Sequence, residues 1–184
     1  MALKFDLKAF SYAHRGLWRA GGFPENSLGA YQAAADHQLA LEMDVRLSKD
    51  GVPFCFHDKT LERVTNEAGE VSAYTAQALA DMHYRESPEK LLALSSLLAF
   101  YPHHLPILIE IKARDVPPLP VTEATLDLVM AYPGRAALMS FNPEVIAACP
   151  KSLMRGLVIE KIEKSDRDAF HNALQSALDL DVDF

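Results

Sequence analysis

The sequence predicts an α/β fold in which parallel strands alternate with helices. Short apolar runs recur along the 184 residues, segments of helical period separate most of them, and no repeat or low-complexity linker divides the chain. Such alternation implies one domain whose strands pair in parallel through right-handed crossovers. The sheet is then either doubly wound or closed into a barrel, and periodicity alone does not choose between the two.

The composition excludes several classes of protein. Hydrophobic residues make up 49% of the chain and charged residues 23%, which is the balance of a soluble globular domain. The net charge of -7 argues against a duplex-binding surface, so no nucleic-acid partner is expected. Cys55 and Cys149 lack a C-x-x-C spacing and are expected to be reduced and buried, as in a cytoplasmic protein. The strongest apolar stretch, 91–101, is too short to span a bilayer, and charges interrupt the amino-terminal segment, so we predict neither membrane insertion nor secretion.

The strands are placed by their apolar runs. Six strands are predicted at 11–14, 40–47, 52–57, 106–112, 136–141 and 153–159, and a last strand is predicted to begin near Leu180. Because helices lie between most of them, these strands are expected to pair in parallel.

Capping residues predict where the helices begin. The first helix is expected after Pro24, with Asn26 or Ser27 as its N-cap. Its inward face is predicted to comprise Leu28, Tyr31, Ala34 and Ala35, and a later stripe of the same spacing comprises Leu91, Leu94, Leu98 and Ala99. Two more helix starts are predicted. One is at Asn142, which precedes a proline, and the other is at Ser165, which with Asp168 three residues later resembles a capping box.

Acidic side chains interrupt two of the predicted strands. In L-E-M-D-V-R-L, Glu42, Asp44 and Arg46 share one face because side chains alternate along a strand. Residues two positions apart lie roughly 6 to 7 Å from each other, so both carboxylates can reach one cation. Glu110 offers a third oxygen ligand on the strand at 106–112, and Lys112 adds a cation on the same face for an anionic substrate. Three carboxylates without a nearby cysteine suit Mg²⁺ or Ca²⁺ better than zinc.

Two histidines lie where strands are predicted to end. His14 is followed by Arg15, and His57 is followed by Asp58. Imidazole titrates near neutral pH, so two histidines flanking a phosphodiester could supply a base for the attacking oxygen and an acid for the leaving oxygen. The planar guanidinium of Arg15 could clamp the phosphate oxygens.

Each of these features also has a plainer interpretation. A single strand-end histidine is more often structural, an E-x-D pair more often marks an edge strand with one solvated face, and Glu110 with Lys112 could form only a salt bridge. What favours a functional site is that all the groups fall at the end of a predicted parallel strand or just after one. That carboxyl edge is where active sites assemble in barrels and open α/β sheets alike.

Taken together, these segments resemble the glycerophosphodiester phosphodiesterase family. The matching segments are A-H-R-G at 13–16, P-E-N-S at 24–27, L-E-M-D-V-R-L-S-K-D-G at 41–51, F-H-D-K-T-L-E-R-V-T at 56–65, I-E-I-K at 109–112 and S-F-N at 140–142. The resemblance covers nearly the whole chain, and the combination is highly specific. It implies a TIM (β/α)8-type barrel that hydrolyses glycerophosphodiesters, as small-molecule substrates, to sn-glycerol 3-phosphate and an alcohol.

The resemblance also implies a role for individual residues. The metal ligands fall on Glu42, Asp44 and Glu110, the acid/base histidines on His14 and His57, and the substrate-binding residues on Arg15, Lys112 and Asn26. Glu25 and Asp58 match supporting positions. The implied cofactor is a divalent cation, Mg²⁺ or Ca²⁺. Attack by water and attack by the substrate's own glycerol hydroxyl, through a cyclic phosphate, both stay open.

The length of the chain departs from the family pattern. Eight strand-helix units take about 250 residues, and the chain has 184. We therefore expect a single domain over 1–184 and a barrel that is incomplete at its carboxyl end. Two other functions stay open: a binding-only relative that lacks a complete site, and a phosphodiesterase of lysophospholipids or phosphoinositides on the same fold. The sequence shows no basic amphipathic helix that could bind a lipid surface, which argues against the lysophospholipid or phosphoinositide function.

Overall fold

Six strands form one sheet in the computed structural model, which describes residues 4–19, 22–163 and 166–184. The strands are β1 (Tyr12–His14), β2 (Ala40–Leu47), β3 (Pro53–Cys55), β4 (Ile107–Ile111), β5 (Ala136–Ser140) and β6 (Met154–Leu157). The helices are α1 (Leu28–Asp36), α2 (Ala76–Asp81), α3 (Leu94–Phe100), α4 (Pro118–Ala131), α5 (Pro143–Ala148) and α6 (Arg167–Leu180). Over these described ranges, we find no helix with both the length and the apolar character needed to cross a membrane.

Five of the strands run parallel in the order β1-β2-β4-β5-β6. The parallel α/β fold predicted from the sequence is therefore confirmed. β2 and β4 lie side by side in the sheet, and Asp44 on β2 stands opposite Glu110 on β4. Within the part of the chain that the structure describes, no ladder joins β6 to β1, so the sheet stays open.

The strand predicted at 52–57 is shorter than expected, and its predicted direction is wrong. β3 runs antiparallel to β2, with Val45 opposite Cys55. The turn between the two strands contains Asp50 and Gly51, and Gly51 has a φ of 83°. An Asp-Gly pair between two alternating strands is a strong hairpin signal, because glycine adopts this left-handed backbone without strain. The alternation of strands and helices elsewhere in the chain masked that local signal.

The strand predicted near Leu180 is also wrong, because α6 continues to that residue. The chain then turns and lies against the open edge of β6. The Asp183 N–H donates to the Arg155 carbonyl at 2.8 Å, and the Leu157 N–H donates to the Phe184 carbonyl at 3.1 Å. These two backbone hydrogen bonds hold the segment against β6 without extending the ladder.

The caps of α1 and α5 follow the sequence prediction. The Ser27 side chain caps α1 by accepting a hydrogen bond from the Ala30 N–H, and Asn142 caps α5 in the same way. α6 is capped by the side chain of Asp166. The predicted cap, Ser165, lies outside the described residues.

Two apolar clusters fix the strands that carry the candidate site. The larger cluster contains residues of the sheet and of α1, α3, α4 and α5, and Met43 and Ile109 lie at its centre with no exposed surface. The smaller cluster forms around Phe54 and Phe56 and the segment that follows β3. Successive side chains of β2 point to opposite faces of the sheet. Met43 therefore packs into the larger cluster, while Glu42 and Asp44 lie on the other face.

Candidate active site

Three buried carboxylates meet where the neighbouring strands β2 and β4 lie side by side. Glu42 and Asp44 project from β2, and Glu110 projects from β4 opposite Asp44. One oxygen of each carboxylate lies within 4.8 Å of an oxygen of the other two. The three residues are 8%, 1% and 7% exposed. The alternation of side chains along β2, combined with the parallel register, thus brings together three of the residues singled out in the sequence.

The surrounding donors leave these carboxylates incompletely satisfied. The Lys112 ammonium lies 3.0 Å from Asp44 Oδ1 and 2.6 Å from Glu110 Oε1. The Arg15 backbone N–H donates to Glu42 Oε2 at 3.2 Å. Asp44 Oδ1 nevertheless accepts no hydrogen bond from the described residues, because the Lys112 contact is an ion pair without hydrogen-bond geometry. Three buried carboxylates with a free oxygen and no sulfur ligand fit a hard divalent cation, so this cluster could hold a metal ion.

Burial, together with the neighbouring negative charge, raises the pKa of Glu42 to about 8. Burial is the largest cause and the charge of Asp44 adds to it, whereas the hydrogen bond from the Arg15 backbone lowers the pKa. Without a cation, Glu42 therefore carries a proton at neutral pH. A dication held by the cluster would take the place of this proton.

The raised pKa of Glu42 predicts how the stability of the metal-free protein depends on pH. The ordinary glutamate pKa is 4.5, so between about pH 5 and 8 the folded protein binds a proton that the unfolded chain has lost. The free energy of unfolding should fall as the pH rises through that range. Thermal unfolding in chelator at pH 5, 6, 7 and 8 measures the slope. Glu42→Gln cannot ionise and should flatten it, and an unchanged slope in this variant would contradict the assignment.

His14 lies beside the carboxylate cluster at the end of β1. It pairs with Glu42 in the ladder, and its Nε2 lies 3.7 Å from Glu42 Oε2. Its side chain is 66% exposed, so a substrate can reach it. Partial burial and then the charge of Arg15 lower the pKa of His14 below its ordinary value of 6.5. The imidazole is therefore neutral at pH 7 and able to accept a proton.

His57 lines a cleft of about 340 Å³ together with Glu110 and Lys112. Its Nδ1 lies 2.6 Å from Asp58 Oδ1. Burial raises the pKa of Asp58, but hydrogen bonds from Arg63 and His57 outweigh it and hold this pKa below its ordinary value. An ionised carboxylate only accepts hydrogen bonds, so Nδ1 carries the proton of this contact. The Nε2 atom is left for a substrate.

The loop between β1 and α1 brings Arg15 and Asn26 to the cluster. Both residues have positive φ angles, 58° and 54°, and the Asn26 N–H donates to the Arg15 carbonyl at 2.9 Å. A Cβ atom at Gly16 would lie 2.8 Å from the Ala30 Cβ, so only glycine allows the loop to pack this closely on α1. As a result, Arg15 Nε lies 3.3 Å from Asp44 Oδ2.

Asn26 lies behind the carboxylates rather than in the cleft. It is 1% exposed, its Nδ2 donates to Asp44 Oδ2 at 3.0 Å, and its Oδ1 accepts a hydrogen bond from the Tyr31 hydroxyl at 2.8 Å. This position does not support the predicted contact between Asn26 and substrate. It indicates instead that the amide orients Asp44.

Sequence reasoning missed Arg63. Its guanidinium donates to Glu25 at 2.5 and 3.1 Å, and to Asp58 through Nη2 at 3.1 Å and through Nε. Glu25 in turn accepts a hydrogen bond from Arg15 Nη1 at 3.2 Å. Arg63 lies in a turn after β3, where periodicity carries no signal. The available signal is that Arg63 falls in the segment 56–65 that resembles the family, five residues after Asp58.

Solved structures share this fold. The phosphodiesterase of Oleispira antarctica in complex with its product sn-glycerol-3-phosphate matches with a TM-score of 0.78 at 22% identity, over 94% of this chain and 72% of the other. The glycerophosphodiester phosphodiesterase of Thermotoga maritima matches with a TM-score of 0.75 at 22% identity, over 94% and 70% of the two chains. At this identity the likeness shows the fold alone. It confirms the predicted TIM-type barrel, and across residues 4–19, 22–163 and 166–184 this barrel is incomplete because the sheet is open.

Sequence comparison places the chain in a family. Human glycerophosphodiester phosphodiesterase 1 is 29% identical over 147 residues, which are 73% of this chain and 43% of the human protein. The chain thus spans less than half the length of that relative. The family model for glycerophosphoryl diester phosphodiesterases matches residues 14–177, a range that contains every candidate site residue. On this evidence the chain belongs to the glycerophosphoryl diester phosphodiesterase family.

Proposed function

We propose that this chain hydrolyses glycerophosphodiesters, such as glycerophosphocholine or glycerophosphoethanolamine, to sn-glycerol 3-phosphate and an alcohol. The observation that carries the proposal is the cluster of three buried carboxylates with His14 beside it and His57 in the adjoining cleft. Membership in the family supports the same reaction. So does the likeness in fold to a phosphodiesterase whose structure contains sn-glycerol-3-phosphate.

Glu42, Asp44 and Glu110 would hold a divalent cation, Mg²⁺ or Ca²⁺. When bound, such a cation would offset negative charge on a non-bridging phosphate oxygen. Lys112 lies 2.6 Å from Glu110 and lines the same cleft as His57, which suits it to contact the phosphate. Arg15 presents its guanidinium from the other side of Asp44, and together the two cations stabilise charge that develops on phosphorus.

The two imidazoles divide the acid and base chemistry. His14, neutral at pH 7 and exposed, takes the proton of the attacking oxygen, which belongs to water or to the glycerol hydroxyl of the substrate. His57 is oriented by Asp58 through Nδ1–H. Its Nε2 takes up a proton from solvent and gives that proton to the leaving alcohol, which returns the imidazole to its neutral Nδ1–H form. Acid and base groups of this kind each contribute about 100- to 10,000-fold to a rate.

Release of sn-glycerol 3-phosphate tests this function. The purified chain is incubated with glycerophosphocholine and with glycerophosphoethanolamine, in Mg²⁺ or Ca²⁺ and in chelator, and the product is measured with a coupled dehydrogenase. Product should form with a cation, stop in chelator, and form again when the cation is restored. Binding of substrate without turnover would establish the binding-only alternative. Turnover of lysophospholipid alone, identified by the mass of the product, would establish the lipid alternative.

The setting of the reaction belongs to the same proposal. We place the activity in a single domain over 1–184 that acts on a small-molecule substrate in the cytoplasm. Cys55 and Cys149 are both buried and free, which suits a reducing compartment.

A further inference from the structure

Arg63 contacts acidic residues in two parts of the candidate site. On one side it donates to Asp58, whose other contact is His57 Nδ1 at 2.6 Å. On the other side it donates to Glu25, which accepts a hydrogen bond from Arg15 at 3.2 Å. One guanidinium thus connects the imidazole in the cleft with the arginine that lies against the carboxylate cluster.

The contacts of Arg63 differ from those of an ordinary surface ion pair. Exposed ion pairs contribute little to stability because water screens them and both side chains lose freedom. The Arg63 side chain is 49% exposed, but the Glu25 side chain is 6% exposed, and the guanidinium meets both of that residue's oxygens. Without Arg63, the buried Glu25 carboxylate would keep, among the side chains that the structure describes, only its ion pair with Arg15. The planar fork of an arginine is suited to such paired contacts, and the ammonium of a lysine cannot reproduce all of them.

The backbone that carries Arg63 is itself held in place. Thr65 is fully buried, and the side chain of Arg85 donates to the carbonyls of Glu62 at 2.5 Å and Thr65 at 2.6 Å. The Arg85 N–H also donates to the Val64 carbonyl at 2.8 Å. These hydrogen bonds fix the backbone of the turn that carries Arg63. The guanidinium is therefore held within reach of Glu25 and Asp58.

We propose that Arg63 is a positioning residue, which holds Asp58 so that His57 keeps its Nδ1–H tautomer and holds Glu25 so that Arg15 stays against the carboxylate cluster. Arg63 does not line the cleft that contains His57, Glu110 and Lys112, so it acts through its two acidic partners and not on the substrate. The inference rests on the proposed function for its effect on turnover. Its effect on the tautomer of His57 does not depend on that function.

Arg63→Met and Arg63→Lys test the proposal, with Lys90→Met as a matched control that removes an exposed cation from the ion pair with Asp81. The first readout is the ¹⁵N spectrum of the histidine side chains in metal-free protein. The His57 signal is identified as the one that is missing from the spectrum of His57→Ala. We expect His57 in the wild type and in Lys90→Met to carry its proton on Nδ1. In Arg63→Met, where Asp58 is free to turn toward solvent, we expect a mixture of tautomers, and in Arg63→Lys an intermediate spectrum. Melting temperatures of all variants show that the protein is folded.

The second readout is turnover of a glycerophosphodiester. Residues that orient a group in contact with the reaction typically change activity by about 10- to 100-fold when they are removed. We expect kcat of Arg63→Met to fall by about this factor with little change in KM, since no substrate contact is lost. Lys90→Met should keep the wild-type kcat.

Chemical rescue distinguishes orientation from a general loss of structure. Arg63 borders a second cleft of about 330 Å³, lined also by Trp18, Glu25 and Tyr84, through which a small cation can enter. In Arg63→Ala, guanidinium at tens of millimolar should restore part of kcat and the Nδ1–H signal of His57. Methylammonium has the same charge but lacks the planar, paired N–H donors of guanidinium. It should therefore restore less of kcat and less of the Nδ1–H signal.

The outcomes separate this inference from the proposed function. If the wild type does not turn over glycerophosphodiesters, the proposed function fails, and the His57 spectrum alone decides about Arg63. If the wild type is active but folded Arg63→Met keeps both the wild-type kcat and a pure Nδ1–H tautomer, the inference is overturned and the function stands. Equal rescue by guanidinium and methylammonium would also overturn it.

Discussion

Asp44→Asn is expected to lower kcat for glycerophosphodiester hydrolysis by about a thousandfold or more, equivalent to about 4 kcal/mol of transition-state stabilisation. Asp44 is 1% exposed, and its Oδ1 accepts no hydrogen bond from the described residues, which marks it as the central oxygen donor for a cation. The amide of asparagine keeps an oxygen for the Asn26 contact but loses the charge. Calorimetric titration with Mg²⁺ and with Ca²⁺ should show that the variant no longer binds either ion tightly.

Asp179→Asn is the matched control for this variant. Asp179 is an exposed residue of α6 that accepts a hydrogen bond from Gln175, and it has no contact with the cluster. It should keep both activity and cation binding. Wild-type turnover by folded Asp44→Asn in the presence of chelator would show that the three carboxylates have no part in the chemistry.

His57→Ala is expected to lower kcat by about 100- to 10,000-fold on glycerophosphocholine. A glycerophosphodiester of p-nitrophenol should lose much less, because its leaving group departs as a stable phenolate and needs no proton. His14→Ala, which removes the proposed base, should be slowed on both substrates. Steady-state rates of the two variants on the two substrates therefore separate the roles of the imidazoles.

His104→Ala is the control for these variants, since His104 is exposed and contacts Gln38 away from the cleft. Its rates on both substrates should match the wild type. If His57→Ala were slowed equally on both substrates while His14→Ala recovered with the phenolate leaving group, the assigned roles would be exchanged. Wild-type rates in both variants would remove the histidines from the mechanism.

The carboxylate cluster could be predicted from sequence because two simple rules determine it. The period of two along β2 puts Glu42 and Asp44 on one face, and the parallel register of the next strand puts Glu110 opposite Asp44. Both rules act locally or between strands whose apolar runs are easily found. The N-caps were predictable for the same reason, since Ser27 acts on a backbone N–H three residues away.

The direction of β3 could not be predicted from the global pattern. Alternation of strands and helices implied parallel pairing, whereas the Asp50-Gly51 turn imposes a hairpin over a few residues. The local turn chemistry prevails because the five residues between β2 and β3 are too few for a crossover connection. At Leu180 the apolar pattern was taken for the start of a strand, whereas this residue is the last one of α6.

The supporting network depends on tertiary contacts that motif spacing does not encode. Arg63 meets Glu25 across 38 positions of sequence and Asp58 across five, and only the folded loop brings all three together. Asn26 stands in a matched motif, but the motif does not say whether its amide faces the cleft or Asp44. The structure answers this through the Tyr31 hydroxyl, which fixes the amide on its far side.

A crystal structure of this chain with Ca²⁺ and sn-glycerol 3-phosphate tests the central claim most directly. The account predicts one cation held by Glu42, Asp44 and Glu110, with the phosphate in contact with Lys112 and Arg15 and within reach of His57. An ordered phosphate bound away from these side chains, or a cation bound elsewhere with the three carboxylates still paired only to Lys112 and Arg15, would contradict it.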